Sequence, residues 1–235
     1  MFIRSIIFTI GYFPVMLLIS LAGSLLGFFL PLKARFFVPI GVFHFTSLCL
    51  RLACNVRREI VGVENLPKTR AFIIVANHQS TWETYALQTL AVPICTILKR
   101  ELLWFPIFGW ALAFLNPIAI DRSNALAASR KVLKEGEKRI KNNLNILIFP
   151  EGTRTPPGTV AEFKKSAAVL AHKTKAPIVP IAHNAGNCWR KGTFIKKSGV
   201  IKMKIGEPIE TAGKTADQIH AEYESWIRKT MKELG

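Results

Sequence analysis

Acidic side chains are scarce in this sequence. There are 15 Asp and Glu against 32 Lys and Arg in 235 residues, which leaves a formal net charge of +17. Charge of one sign alone admits a nucleic-acid binder, but half of the residues are hydrophobic, and nucleic-acid binding does not account for that. A protein lying on an anionic membrane accounts for both, because basic groups are drawn to acidic headgroups while apolar segments enter the lipid. The expected partners are therefore anionic membrane lipids and no nucleic acid. Cysteine is also sparse: Cys49, Cys54, Cys95 and Cys188 form no CxxC pair and no metal-ligand cluster, and they read as small buried hydrophobes in a reducing compartment rather than as a disulfide frame. His44, His172, His183 and His220 are scattered without ligand spacing, so no metal site is expected. Internal repeats and low-complexity tracts are absent, and the length suits one full-sized core.

Charge is missing altogether from Ser5 to Leu32, with Arg4 before the run and Lys33 and Arg35 after it. That length suffices to cross a hydrocarbon core, and it exceeds the apolar region of a cleaved signal. Gly11, Pro14, Gly23 and Gly27 interrupt it, so a kinked helix or a re-entrant pair remains open. A second apolar stretch, Phe36 to Ala53, carries Pro39, His44 and Arg51 and is followed by Arg57 and Arg58; it reads as interfacial. Residues 1–55 are thus expected to form membrane-anchoring helices and residues 56–235 one further domain. If the first run spans, the basic residues after it put that domain in the cytoplasm, at a bacterial inner membrane.

From about Val56 the pattern becomes that of an α/β domain. AFIIVA (71–76) predicts a buried strand, followed by a helix opened by Ser80 and running to about Leu90. NPIAID (116–121), NILIF (145–149), IVPIA (178–182) and VIKMKI (200–205) read as further strands. Helices are expected from Ala125 to about Asn142 with Ser123 or Asn124 as cap, from Phe163 to Lys173, and from a Thr215-x-x-Gln218 capping box to about Leu234. The fold class is α/β: a mixed sheet covered by helices, preceded by a membrane-embedded helical segment.

The chemistry lies at strand ends. NHQSTWE (77–83) comes directly off the first strand, and His78 precedes a helix whose N-terminus disfavours a cation, so its imidazole should stay neutral and able to accept a proton. Glu83 in the first turn is stabilised as a carboxylate, and a base oriented by a carboxylate activates a hydroxyl nucleophile. Ser80-x-x-Glu83 is equally a capping box, with Glu83 bonding back to the Ser80 amide. FPEGTR (149–154) follows another strand: Gly152 permits a tight turn, while Thr153 and Arg154 offer donors suited to phosphate. Arg122 ends a third strand, with Asp121 as a possible neutralising partner, and Lys99 and Arg100 follow a further apolar segment. A GxSxG elbow is absent, which argues against an acyl-serine intermediate.

NHQSTWE, NPIAIDR, FPEGTR and VPIAH, in this order and spacing, resemble the four blocks of the glycerolipid acyltransferase family, most closely its 1-acylglycerol-3-phosphate branch, over roughly residues 60 to 210. The resemblance implies a His base with a carboxylate partner, His78 and Glu83, and direct acyl transfer with no bound cofactor. It implies a thioester donor on acyl-CoA or acyl carrier protein and a lysophosphatidate acceptor whose phosphate is surrounded by Lys99, Arg122, Glu151, Gly152 and Arg154. Two departures stand out. The family's usual catalytic carboxylate is Asp where this chain has Glu83, and the glycine of its FKxG segment is Ser166 here. Another lyso-acceptor, glycerol 3-phosphate, hydrolysis, and a non-catalytic basic membrane binder are the competing readings.

Overall fold

The computed structural model of the chain describes residues 1–159 and 161–235, with the backbone alone at Phe28. Helix α1 (Phe2–Leu26) runs unbroken through Pro14 and is followed by a short turn of helix α2 (Leu32–Arg35) and by α3 (Phe37–Cys54). Strand β1 (Val56–Val61) leads to β2 (Ile73–Ala76), α4 (Trp82–Leu90), β3 (Ile94–Lys99), α5 (Phe108–Ala113) and β4 (Ile118–Ile120). Then come α6 (Ala125–Lys141), β5 (Asn145–Ile148), α7 (Ser166–Thr174), β6 (Ile178–His183), α8 (Ala185–Cys188), β7 (Gly199–Ile205) and α9 (Ala216–Leu234).

The strands form one sheet in the order β1-β7-β6-β2-β5-β3-β4. Strands β6, β2, β5, β3 and β4 are mutually parallel, and the antiparallel β6–β7 contact reverses the direction of the β7–β1 pair. The sheet is mixed, as the alternating pattern predicts. Its central strand, β2, is buried on both faces, which is why it reads as an unbroken apolar run. Because side chains alternate along a strand, Ile74 and Ala76 pack with Phe8, Phe43, Leu50 and Trp82 on one side. Ile73 and Val75 pack with Leu170, Ile219 and Tyr223 on the other. The N-terminal helices therefore share the core of the sheet. The capping box at Thr215 is formed in both halves, and the Asn124 side chain accepts from the Ala127 amide, which settles the choice between Ser123 and Asn124. Strand β7 alternates exposed and buried residues, as its Lys-interleaved sequence predicts.

Two helices start later than the sequence indicates: α4 at Trp82, with the Ser80 hydroxyl accepting from the Trp82 amide, and α7 at Ser166, with Phe163 buried in the approach to it. Helix α1 and the combined stretch Leu32–Cys54 are each long and apolar enough to cross a membrane, with mean hydropathies of 2.1 and 1.6. Ile3, Ile7, Ile10, Phe13, Leu17 and Leu21 of α1 and Phe37, Leu48 and Leu52 of α3 are exposed. All four cysteines are free thiols.

Candidate active site

Strand direction decides what meets. Because β2, β5, β3 and β4 are parallel, the residues that follow each of them gather at one end of the sheet: His78, Glu151 to Arg154, Lys99 and Arg122. This is where open α/β sheets present their sites.

His78 and Glu83 meet directly. Nδ1 of His78 lies 2.9 Å from Oε1 of Glu83, and the same oxygen accepts from the amides of Gln79 (2.9 Å) and Ser80 (2.6 Å). The catalytic and capping readings of Glu83 thus converge on one atom. Its other oxygen, Oε2, is buried without a hydrogen-bond partner among the described residues. Burial opposes the charge on Glu83, but His183, His78 and the Ser80 amide overcome it and hold the carboxyl below its usual range. An ionised Glu83 fixes the tautomer of His78: Nδ1 carries the proton and Nε2 keeps its lone pair. Burial lowers the imidazole pKa below 6.5, reinforced by Arg154 and His183 and opposed by Glu83, so the ring is neutral at pH 7. It stacks on Phe149, centroids 3.9 Å apart, which fixes the ring plane.

The FPEGTR loop holds the histidine from the other side. Glu151 turns inward: its Oε2 accepts from the His78 amide (3.1 Å) and from the Thr155 hydroxyl (3.1 Å). Burial, with repulsion from Glu83, raises its pKa to about 7 against the pull of those two donors. The Thr155 amide donates to the His78 carbonyl at 2.7 Å. Gly152 adopts φ +69° and its amide closes a turn on the Phe149 carbonyl at 3.0 Å, so this position needs glycine for its conformation. Thr153 is exposed at the tip of the loop.

The cations stand apart from this network. Arg154 lies close enough to His78, Arg122 and Tyr85 to shift the proton affinity of each. Neither Arg122 nor Arg154 forms an ion pair among the described residues, and Nε of Arg154 is buried without a partner. Asp121 does not neutralise Arg122; it pairs with Arg100 at 2.9 Å and accepts from Ser123. Lys99 contacts Glu101 at 3.5 Å. The charge of Glu101 reaches Arg122, but neither guanidinium has a carboxylate at ion-pair distance among the described residues, so the two together can hold an anion carrying several oxygens.

Sequence reasoning gives no part in the chemistry to three residues that the structure places around His78. Asn77 and His183 are cross-linked by a pair of bonds between the Asn77 amide side chain and the His183 backbone (2.9 and 3.0 Å), and His183 Nε2 reaches the Asn77 carbonyl at 2.7 Å. Thr155 is the third. All three anchor the backbone on either side of His78; Asn77 and His183 lie in the NHQSTWE and VPIAH segments, but their pairing across 106 residues has no local signature. A neutral, oriented imidazole beside an unpaired cation pair can take a proton from the hydroxyl of an anionic substrate.

Comparison with known proteins agrees in fold and sequence. A family model described as Acyltransferase matches residues 57–184. A 1-acyl-sn-glycerol-3-phosphate acyltransferase from Pseudomonas aeruginosa is 40% identical over 210 residues, covering 88% of this chain and 81% of that protein. The enzyme of the same name from Saccharomyces cerevisiae is 32% identical over 237 residues, covering 94% and 77%. The crystal structure of the 1-acyl-sn-glycerophosphate (LPA) acyltransferase PlsC from Thermotoga maritima superposes with a TM-score of 0.80 at 26% identity, covering 99% of this chain and 96% of that one.

Proposed function

The chain belongs to the acyltransferase family, and we propose that it transfers a fatty acyl group from an acyl thioester to the sn-2 hydroxyl of 1-acylglycerol 3-phosphate, giving phosphatidate. The observation that carries this reading is the juxtaposition of the His78–Glu83 pair with the unpaired Arg122 and Arg154. The names of the relatives support the acceptor.

In this account Nε2 of His78 removes the hydroxyl proton as the acceptor oxygen attacks the thioester carbonyl. Glu83 stabilises the imidazolium that forms, and its three donors keep the carboxylate in position. As the tetrahedral intermediate collapses, the C–S bond breaks and the imidazolium returns its proton to the departing thiolate, so the thiol leaves neutral and His78 is restored. The acceptor phosphate is held by Arg122 and Arg154, with Lys99 at the rim, and Glu151, Gly152 and Thr153 act by shaping the loop that presents Arg154. An apolar cavity of about 450 Å³ between α1, α3, α4 and α5 suits a fatty chain. It is lined by Met16, Gly23, Phe108, Leu112 and Leu115, and by Tyr85, two residues beyond Glu83.

The donor is an acyl thioester on coenzyme A or acyl carrier protein, and no bound cofactor takes part. We place the protein at a bacterial inner membrane with its catalytic residues on the cytoplasmic side; the exposed apolar faces of α1 and α3 support the membrane location and the basic flanking residues support the side. The test is a transfer assay with purified full-length protein in neutral micelles, with both donor types and a panel of acceptors. Phosphatidate should form from 1-acylglycerol 3-phosphate and vanish with His78→Ala. Equal transfer to an acceptor without phosphate would overturn the assignment.

A further inference from the structure

A second concentration of unpaired cations lies on the other side of the sheet order, where nothing in the reaction uses it. A cavity of about 590 Å³ opens between the C-terminal half of α3 and edge strand β1, lined by Arg51, Arg57, Arg58, His44, Ser47 and Trp82 among others, and by no Asp or Glu. Two strands, β7 and β6, separate β1 from β2 in the sheet order, while Trp82, the first residue of α4, reaches the wall of the groove. None of the three guanidinium groups forms an ion pair or hydrogen bond to the described residues. Arg58 lies over the Phe43 ring with its guanidinium carbon 4.5 Å from the centroid, which orients the group along the wall of the groove. The Ser47 hydroxyl is buried without a partner.

Helix α3 ends at Cys54, and its last carbonyls bring a partial negative charge of about half a unit to this end. Three guanidinium groups outweigh it, so the groove stays strongly cationic. Apolar surface adjoins it: Leu48, which lines the groove with Arg51, and Leu52 are 52% and 75% exposed on the same helix. Cationic pocket and apolar face thus meet on one helix, the arrangement a membrane lipid matches with a phosphate above and acyl chains beside it.

We propose that the groove between α3 and β1 is a binding site for an anionic phospholipid, its headgroup phosphate held by Arg51, Arg57 and Arg58 and its chains lying along Leu48 and Leu52. The site is separate from the acceptor site at Arg122 and Arg154. It requires only that α3 lie at a bilayer, so it stands whether or not the transfer reaction is as described above. Through Phe43, which contacts both Arg58 and Trp82, the groove wall is continuous with the first residue of the helix that carries Glu83.

The test is lipid retention by the full-length chain in neutral detergent, read by native mass spectrometry during titration with phosphatidylglycerol, phosphatidylcholine or inorganic phosphate. The wild-type chain should retain one phosphatidylglycerol more tightly than any phosphatidylcholine. The Arg51→Gln/Arg57→Gln variant should weaken that retention roughly twenty- to thirtyfold, at about fivefold per arginine. Turnover of this variant in neutral micelles should match the wild type, which also reports that it has folded. Arg58→Lys keeps the charge and removes the planar fork, and should weaken binding less than the double variant. Wild-type retention by the double variant, or equal retention of phosphatidylcholine, would overturn the proposal. Displacement of phosphatidylglycerol by millimolar inorganic phosphate would assign the groove to a soluble anion and overturn the lipid assignment.

Discussion

Two charged regions share one end of the sheet and differ in how they treat their charges. Around His78 the chain supplies the partners: Glu83 and Phe149 fix the ring, Glu151 and Thr155 hold the amide and carbonyl of the same residue, and Asn77 is locked to His183. Around Arg122 and Arg154 the chain withholds direct partners among the described residues: Asp121 is taken by Arg100, and Glu101, whose charge reaches Arg122, contacts Lys99. Proton transfer needs a donor and acceptor fixed in advance, so its groups are bonded to the protein. An anion receptor must keep its charge available, because a built-in carboxylate would compete with the ligand.

Removing the fixed base should have the largest effect. His78→Ala is expected to lower turnover by about a hundredfold to ten-thousandfold with an unchanged far-ultraviolet spectrum. Wild-type turnover in a folded variant would break the contrast at its centre. In the open region Arg154→Ala should raise KM for lysophosphatidate by about ten- to a hundredfold, the span of a hydrogen bond to a charged group, while KM for the thioester stays level. A selective rise in the donor KM would reverse the assignment of this loop.

Glu151 tests the fixed region through stability. Its folded pKa of about 7 lies above the roughly 4.3 of an unfolded glutamate, so between those values the native state keeps a proton that the unfolded chain has released. Stability should therefore fall as pH rises through this window, by on the order of 3 kcal/mol at its upper end. Glu151→Gln cannot lose that proton. Its melting temperature should vary less between pH 5 and pH 8 and exceed that of the wild type, by several degrees, at pH 8. Parallel melting curves for the two proteins would show that Glu151 is not buried against the charge of Glu83.

What the sequence discloses follows the range of the interaction. His78 and Glu83 are five residues apart on one strand-to-helix turn, so their pairing is legible from local spacing. Strand β2 is legible because burial on both faces demands a continuous apolar run. Strand β1, VRREIV, is not, because an edge strand with charged residues lacks that signature. The Asn77–His183 link spans 106 residues and the Glu151–His78 link 73, and both exist only because β6 and β5 flank β2. Likewise, the apolar N-terminal stretches announce lipid contact, but nothing in them announces that Phe8, Tyr12 and Phe43 complete the core beneath α4.

The central claim is that Glu83 acts through its charge on His78 and not only as a helix cap. Glutamine at this position keeps an oxygen for the Gln79 and Ser80 amides but carries no charge. The direct measurement is the pH dependence of kcat/KM for wild type and Glu83→Gln. In the wild type the acid limb should lie below pH 6.5, because burial lowers the His78 pKa. In the variant the limb should move to still lower pH, since Glu83 is what raises that pKa, and the plateau should fall by about a hundredfold or more. A variant with the wild-type plateau and an unmoved acid limb would contradict the account and leave Glu83 as a cap alone.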